Sequence, residues 1–187
     1  MIRIRPATID DLDFLVAADL QVDYGGPLPE DERAAHREKI AAFARGGADA
    51  GWLAEDEQNG AKAGMILVRF RDRAHEPPTE ANQFLFRFLD ASIFPSDGRF
   101  CEIFQLWVAP EYRRQGLATR LKQTIEAAAR QRGLEMIYTH TAASSTHVIE
   151  LNRKLGYQPV RCGPLWDEVP RTSLVKWLKS TPAPDRS

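Results

Sequence analysis

The spacing of hydrophobic residues changes along the chain, and the changes mark out its elements. Ile2 to Arg5 alternates like a short strand that Pro6 ends. Thr8 and Asp11 are the two halves of a capping box, after which Leu12, Leu15, Val16 and Leu20 recur on one helical face. Tyr24-Gly25-Gly26-Pro27 breaks the chain. Pro29 to Arg45 predicts a second, highly charged helix whose apolar side is thin until Ile40 and Phe43, with Gly46-Gly47 closing it. Trp52 to Glu55 and Ala63 to Arg71 read as strands around the hairpin turn Gln58-Asn59-Gly60.

A polar, Pro-rich loop covers Arg73 to Pro78, and Thr79 caps a predicted helix through about Ser92. Its residues Phe84, Leu85, Phe86, Phe88, Leu89 and Ile93 spread over more than one face, so something must cover them: a lid, a homodimer contact or additional core. Glu102 to Val108 is bulky, β-branched and aromatic, a buried strand that Ala109-Pro110 stops. Leu117, Leu121, Ile125 and Ala128 then mark an amphipathic helix ending at Gly133. Met136 to Thr141 is a strand with Met136, Tyr138 and His140 on one face; Ser144 to Leu155 is a helix stopped by Gly156; Tyr157 to Cys162 and Thr172 to Leu178 are the last strands. The tail from Ser180 reads as disordered. This is an α/β (α+β) pattern in one domain, residues 1–179, with an insertion at about 72–99 and a tail at 180–187.

A chain of 187 residues can bury a sizeable core. Its formal net charge of -1 and pI near 6.4 give no electrostatic reason to expect a nucleic acid or an anionic membrane as partner. Cys101 and Cys162 are too few for a disulfide framework and lack paired metal-ligand spacing, so ordinary thiols and no metal are expected. The N-terminus has no apolar leader segment and no stretch is long enough to span a bilayer, so a cytoplasmic protein is expected.

The most informative stretch is the joint Arg113-Arg114-Gln115-Gly116-Leu117-Ala118 between the strand at 102–108 and its helix. A helix N-terminus offers unpaired backbone N–H groups and a positive dipole end, and Gly116 with the small Ala118 lets an anion reach the main chain. In context, Val108-Ala109-Pro110-Glu111-Tyr112 followed by Arg113-x-x-Gly116-x-Ala118 resembles the acyl-coenzyme A signature of the GNAT N-acetyltransferase superfamily. Leu151-Asn152-Arg153-Lys154-Leu155-Gly156-Tyr157 resembles that family's second motif, and the likeness spans nearly all of residues 2 to 178. The resemblance implies a mixed, mostly antiparallel sheet of about six to seven strands flanked by helices. The strands at 102–108 and 136–141 would splay to admit the pantetheine arm. Acetyl-CoA would be the co-substrate, with no metal. Leu106, Trp107 and Val108 would meet it through main chain, Arg113, Arg114, Gln115, Gly116, Leu117, Ala118 and Thr119 would hold its phosphates, and Asn152 would contact it. Tyr24 and Tyr138 become candidates to line the acceptor site.

Asn152 stands where many members carry a tyrosine acting as general acid, and an amide has no titratable proton. Expelling a thiol of pKa about 8.5 as thiolate near neutral pH costs on the order of 2 kcal/mol, which an enzyme tolerates. The base matters more, because a lysine-like amine is neutral in about one molecule in 2,500 at pH 7. Glu102 matches the glutamate that serves as base in histone-acetylating members, and an apolar setting would raise its proton affinity. His140 is the competing base, titrating near neutrality unaided. His36 and His75 read as solvated. No segment resembles a nucleophile elbow, and no Gly-Lys-Ser/Thr follows Gly116, which disfavours a nucleotide hydrolase. The reading is an N-acetyltransferase acting on a primary amine of a small molecule or amino acid. The alternatives are a protein or peptide acceptor, or a non-catalytic acyl-CoA-binding module.

Overall fold

The computed structural model describes residues 1–23, 27–76, 79 and 83–178. These form seven strands, β1 (Ile2–Pro6), β2 (Asp49–Asp56), β3 (Lys62–Asp72), β4 (Arg99–Val108), β5 (Met136–Ala142), β6 (Gln158–Gly163) and β7 (Arg171–Trp177). The α-helices among them are α1 (Leu12–Asp23), α2 (Glu30–Arg45), α3 (Gln83–Arg87), α4 (Leu117–Gln131) and α5 (Thr146–Lys154). The sheet order is β1-β2-β3-β4-β5-β7-β6, mostly antiparallel with β4 and β5 parallel, which is the mixed sheet that the resemblance implies. Among the described residues no helix is long and apolar enough to cross a membrane. By internal contacts the chain divides into two units, Met1–Phe70 with Ile103–Ile125, and Arg71–Glu102 with the described residues from Glu126 onward.

In the first unit β1 runs antiparallel to β2, Ile2 opposite Asp56 and Pro6 opposite Trp52, and β2 runs antiparallel to β3. The predicted hairpin turn is present, with Gly60 at φ +71° and its N–H donating to the Asp56 carbonyl at 2.7 Å. The capping box heads α1 through a short 3-10 turn, Ile9–Asp11, where the Thr8 N–H donates to Asp11 Oδ2 at 2.9 Å. Asp11 is buried and also paired with Arg5 at 2.8 Å and Lys62 at 2.9 Å. Burial opposes its charge, but these partners outweigh that and hold its carboxyl well below the usual carboxylate range. Leu12, Leu15, Ile40, Phe43, Leu53 and Leu67 supply the core. A Cβ on Gly64 would lie 2.8 Å from the Trp107 carbonyl oxygen, so only glycine lets β3 pass this close to β4.

In the second unit β5 runs antiparallel to β7 from Met136 opposite Trp177 to Ala142 opposite Arg171, and β6 flanks β7. The parallel ladder of β4 with β5 sets Cys101 opposite Ile137 and Glu102 opposite Tyr138. The helix predicted over 79–92 is shorter than its pattern implies: residues 80–82 lie outside the described set, α3 covers Gln83–Arg87, and a 3-10 turn follows at Ala91–Ile93. Asp90 stops the helix because its carboxylate accepts the Ser92 N–H at 2.8 Å, an alternative to helical pairing. Leu85, Leu89 and Phe94 of this stretch join Phe100, Met136, Tyr138 and Leu165 in the unit's core, whereas Phe88 is exposed. The tail from residue 179 lies outside the described residues.

Candidate functional site

The joint after β4 is fastened at several points, all within the first unit. The Ala109 N–H donates to the Ala63 carbonyl at 2.9 Å, and Arg113 Nε reaches back to the Val108 carbonyl at 2.9 Å. Gln115 Nε2 donates to the Glu111 carbonyl at 3.0 Å. Arg114 at φ +62° and Gly116 at φ +77° turn the chain through left-handed backbone, and α4 starts at the next residue. The first bond of α4 runs from the Arg120 N–H to the Gly116 carbonyl at 3.0 Å, so the N–H groups of Leu117, Ala118 and Thr119 precede any helical acceptor. Leu117 is buried and anchors the turn, while Arg113, Arg114, Gln115 and Gly116 are exposed. A Cβ on Gly116 would meet nothing within 4 Å. Helix-start amides, a helix dipole and two exposed arginines give this turn the chemistry that a pyrophosphate such as that of coenzyme A requires.

On β4 itself, Leu106, Trp107 and Val108 are half-buried. The Leu106 N–H donates to Gln105 Oε1 at 3.3 Å, the Val108 carbonyl is taken by Arg113, and Trp107 meets Phe14 edge to face at 5.7 Å.

Glu102, in the second unit, is 2 % exposed. It is neither the solvated strand-end carboxylate nor the residue in purely apolar surroundings that the pattern allows: Arg71 Nη1 donates to Glu102 Oε2 at 3.0 Å. Tyr138 is fully buried in the core cluster with its hydroxyl 3.1 Å from Ser173 Oγ, and burial raises its phenol above the ordinary value. That is the setting of a core residue, in place of the acceptor-lining role expected for it. The His140 ring packs at 5.9 Å from Tyr138 and 5.0 Å from Trp166. Burial, aided by the Arg171 charge, holds it down to about 4, so it is neutral at pH 7 and a weak base there, contrary to the near-neutral titration expected of it. Asn152 is 2 % exposed, and among the described residues its Oδ1 has no hydrogen-bond partner. His75 is exposed, as expected. Tyr24 lies outside the described residues.

Two further features are not among the candidates the sequence offers. Asp19, on α1, is fully buried, with Oδ1 accepting from Gln105 Nε2 at 3.3 Å and Oδ2 lying 3.4 Å from His36 Nε2. Burial and the neighbouring Asp23 push Asp19 up to about 6. His36, expected to be solvated, is 6 % exposed because the thin apolar side of α2 carries it inward beside Ile40. Within the second unit, a cavity of about 420 Å³ is lined by α3 and the loop after β6, including Arg87, Phe88, Leu165, Trp166 and Glu168. Among the described residues no cluster of His, Cys, Asp and Glu could hold a metal ion.

Residues 16–157 match the family model described as "Acetyltransferase (GNAT) family". No curated protein sequence matches the chain. Among solved structures it is similar to NAA60 of Arabidopsis thaliana in complex with acetyl-CoA, at TM-score 0.68 and 19 % identity over 95 % of this chain and 98 % of that one. It is similar to the ribosomal-protein-S18-alanine N-acetyltransferase of Escherichia coli at TM-score 0.62 and 15 % identity, covering 98 % of each. The spermidine/spermine N-acetyltransferase SpeG of Vibrio cholerae gives TM-score 0.62 and 15 % identity over 95 % of each chain. These likenesses carry the fold, and the match over most of the sequence carries the lineage: this chain belongs to the GNAT family of acetyl-CoA-dependent acetyltransferases.

Proposed function

We propose that the protein transfers the acetyl group of acetyl-CoA to a primary amine of a small molecule or amino acid, by direct attack of the neutral amine on the thioester. The observation that carries this reading is the turn Arg113–Gly116 opening α4, an anion cradle built from main chain. The amine nitrogen adds to the thioester carbonyl, forming the C–N bond and a tetrahedral oxyanion; as the carbonyl re-forms the C–S bond breaks, the thiolate leaves as coenzyme A, and the amine proton passes through water to the Glu102 carboxylate. Backbone N–H groups of β4 stabilise the tetrahedral oxyanion. Asn152 contacts the co-substrate, and its buried Oδ1, without a hydrogen-bond partner among the described residues, is free to accept a hydrogen bond from it. Glu102 is favoured as base over His140 because it stands where the resemblance places the family's glutamate, whereas the His140 ring is buried between Tyr138 and Trp166.

A lysine-like amine of pKa near 10.4 carries a handicap of about 4.6 kcal/mol at pH 7, whereas an α-amine near 8 loses only about 1. The base is therefore needed most for strongly basic acceptors. The cavity of about 420 Å³, walled by Phe88 and Trp166 with Arg87 and Glu168 at its polar positions, has the size of a small-molecule site. A peptide amine is the second reading, supported by the likeness to NAA60 and to the ribosomal-protein-S18-alanine enzyme.

The test is thiol release from acetyl-CoA across amines, amino acids, polyamines, aminoglycosides and short peptides, with wild type and Glu102→Gln in parallel. Release confined to one small-molecule class, reduced roughly 10²- to 10³-fold in the variant for basic acceptors, supports the reading. Release with peptides alone replaces the acceptor assignment, and full activity in Glu102→Gln removes Glu102 as base.

A further inference from the structure

Arg71 is the partner that the proposed chemistry does not use. It lies near the end of β3, is 9 % exposed, and uses the two ends of its planar guanidinium on two different carboxylates. Nη1 meets Glu102 Oε2 at 3.0 Å, and Nη2 meets Glu76 Oε2 at 2.6 Å. Glu76 is itself fixed, because its Oε1 accepts the Asp72 N–H at 3.0 Å and its own N–H donates to the Asp72 carbonyl at 2.9 Å. The result is a chain from a partly exposed turn, through a buried guanidinium, to a buried carboxylate, wholly inside one unit. Arginine suits it because only a planar fork can hold two carboxylates in fixed directions; a lysine is a point charge.

We propose that Arg71 is a positioning residue for Glu102, and that Glu76 sets, through Arg71, how much of the guanidinium's positive charge Glu102 receives. The proposal rests on the reading of Glu102 as the base, and it gives the turn after β3 a role in the chemistry. A buried carboxylate paired only with arginine would be held as a weak base. Glu76 draws part of that charge away, leaving Glu102 oriented by a bond yet basic enough to take a proton. Among the described residues, the titratable groups facing Glu102 include Arg71 from β3, Glu76 behind it, and Tyr138 opposite it on β5. Burial and, less strongly, the charge of Glu102 keep the Tyr138 phenol neutral, so it contributes no competing charge.

The experiment is a carbon-13 titration of glutamate side-chain carboxylates in the full chain, with the Glu102 signal identified by its loss in Glu102→Gln. The Glu102 midpoint is expected to rise by about one pH unit or more, roughly tenfold in proton affinity, in Arg71→Gln, and to fall in Glu76→Gln. Shifts of opposite sign cannot come from a merely structural disturbance. Arg71→Lys is expected between wild type and Arg71→Gln. If Arg71→Gln fails to fold, Glu76→Gln, altered at a partly exposed turn, decides alone. An unmoved midpoint, or shifts of the same sign in the two variants, overturns the proposal. Loss of Glu102 as base would appear instead as full turnover in Glu102→Gln with the titration shifts intact.

Discussion

Replacing Gly116 separates the anion cradle from the fold. Gly116 sits at φ +77°, where an L-residue costs roughly 1 to 2 kcal/mol, and a Cβ there meets nothing within 4 Å. Gly116→Trp should therefore fold with a melting temperature only a few degrees lower. Its indole would fill the space over the N–H groups of Leu117, Ala118 and Thr119. Each hydrogen bond from such an N–H to a charged oxygen contributes roughly 1.5 to 3 kcal/mol, so losing two weakens coenzyme A binding by about 3 to 6 kcal/mol, 10² to 10⁴ in Kd. Gly133, at φ +70° and also with nothing within 4 Å, is the matched control, since Gly133→Trp carries the same backbone cost without entering the cradle. Isothermal titration of coenzyme A with both variants, each checked by thermal unfolding, reads the difference. If Gly116→Trp binds within threefold of Gly133→Trp, the cradle assignment fails however well the protein folds.

Asn152→Ala removes a buried acceptor that has no partner among the described residues, so stability should change by less than about 1 kcal/mol, while acetyl-CoA binding loosens about fivefold to tenfold. Collapse of the fold in urea titrations, with binding unchanged beforehand, would make the residue structural. His140 should produce an acid-labile term. Its folded value near 4 lies below the ordinary 6.5, so the unfolded chain takes the proton first, and stability falls as pH drops from about 6.5 to about 4, by roughly 3 kcal/mol. His140→Gln should flatten that limb, seen as a smaller shift of the urea midpoint between neutral and mildly acid buffer; an equal shift in both proteins would refute it.

Local pattern was enough for most of the fold because each element carries its own periodicity. The run from Glu102 to Val108, the helix after Gly116 and the hairpin around Asn59-Gly60 needed no partner to be recognised. The insertion was harder. Its apolar residues fit a helix of several turns, but Asp90 caps a new turn in the middle, and a side chain competing with backbone pairing leaves no trace in hydrophobic spacing. Its fate is mixed: Leu85, Leu89 and Phe94 are core, and Phe88 is exposed.

The site divides along the same line. The turn into α4 was legible since its glycine, helix start and flanking arginines are contiguous from Arg113 to Thr119. What surrounds the catalytic candidates was not, because sequence spacing says nothing about which residue a strand neighbour brings. Arg71 and Glu102 are 31 positions apart, and Arg71 reads as the polar end of an apolar strand. Asp19 and Gln105, 86 positions apart, meet on the buried side of α1, where a lone aspartate looks solvated. In both cases a charged residue at a position whose neighbours along the element are buried was the available signal. A charge is held inside only where a partner compensates it, so each such residue implied a second one elsewhere. Reading buried-face charges as unmatched halves of pairs would have predicted that Glu102 and Asp19 have partners without naming them, and for Glu102 that partner governs how strongly the proposed base can act.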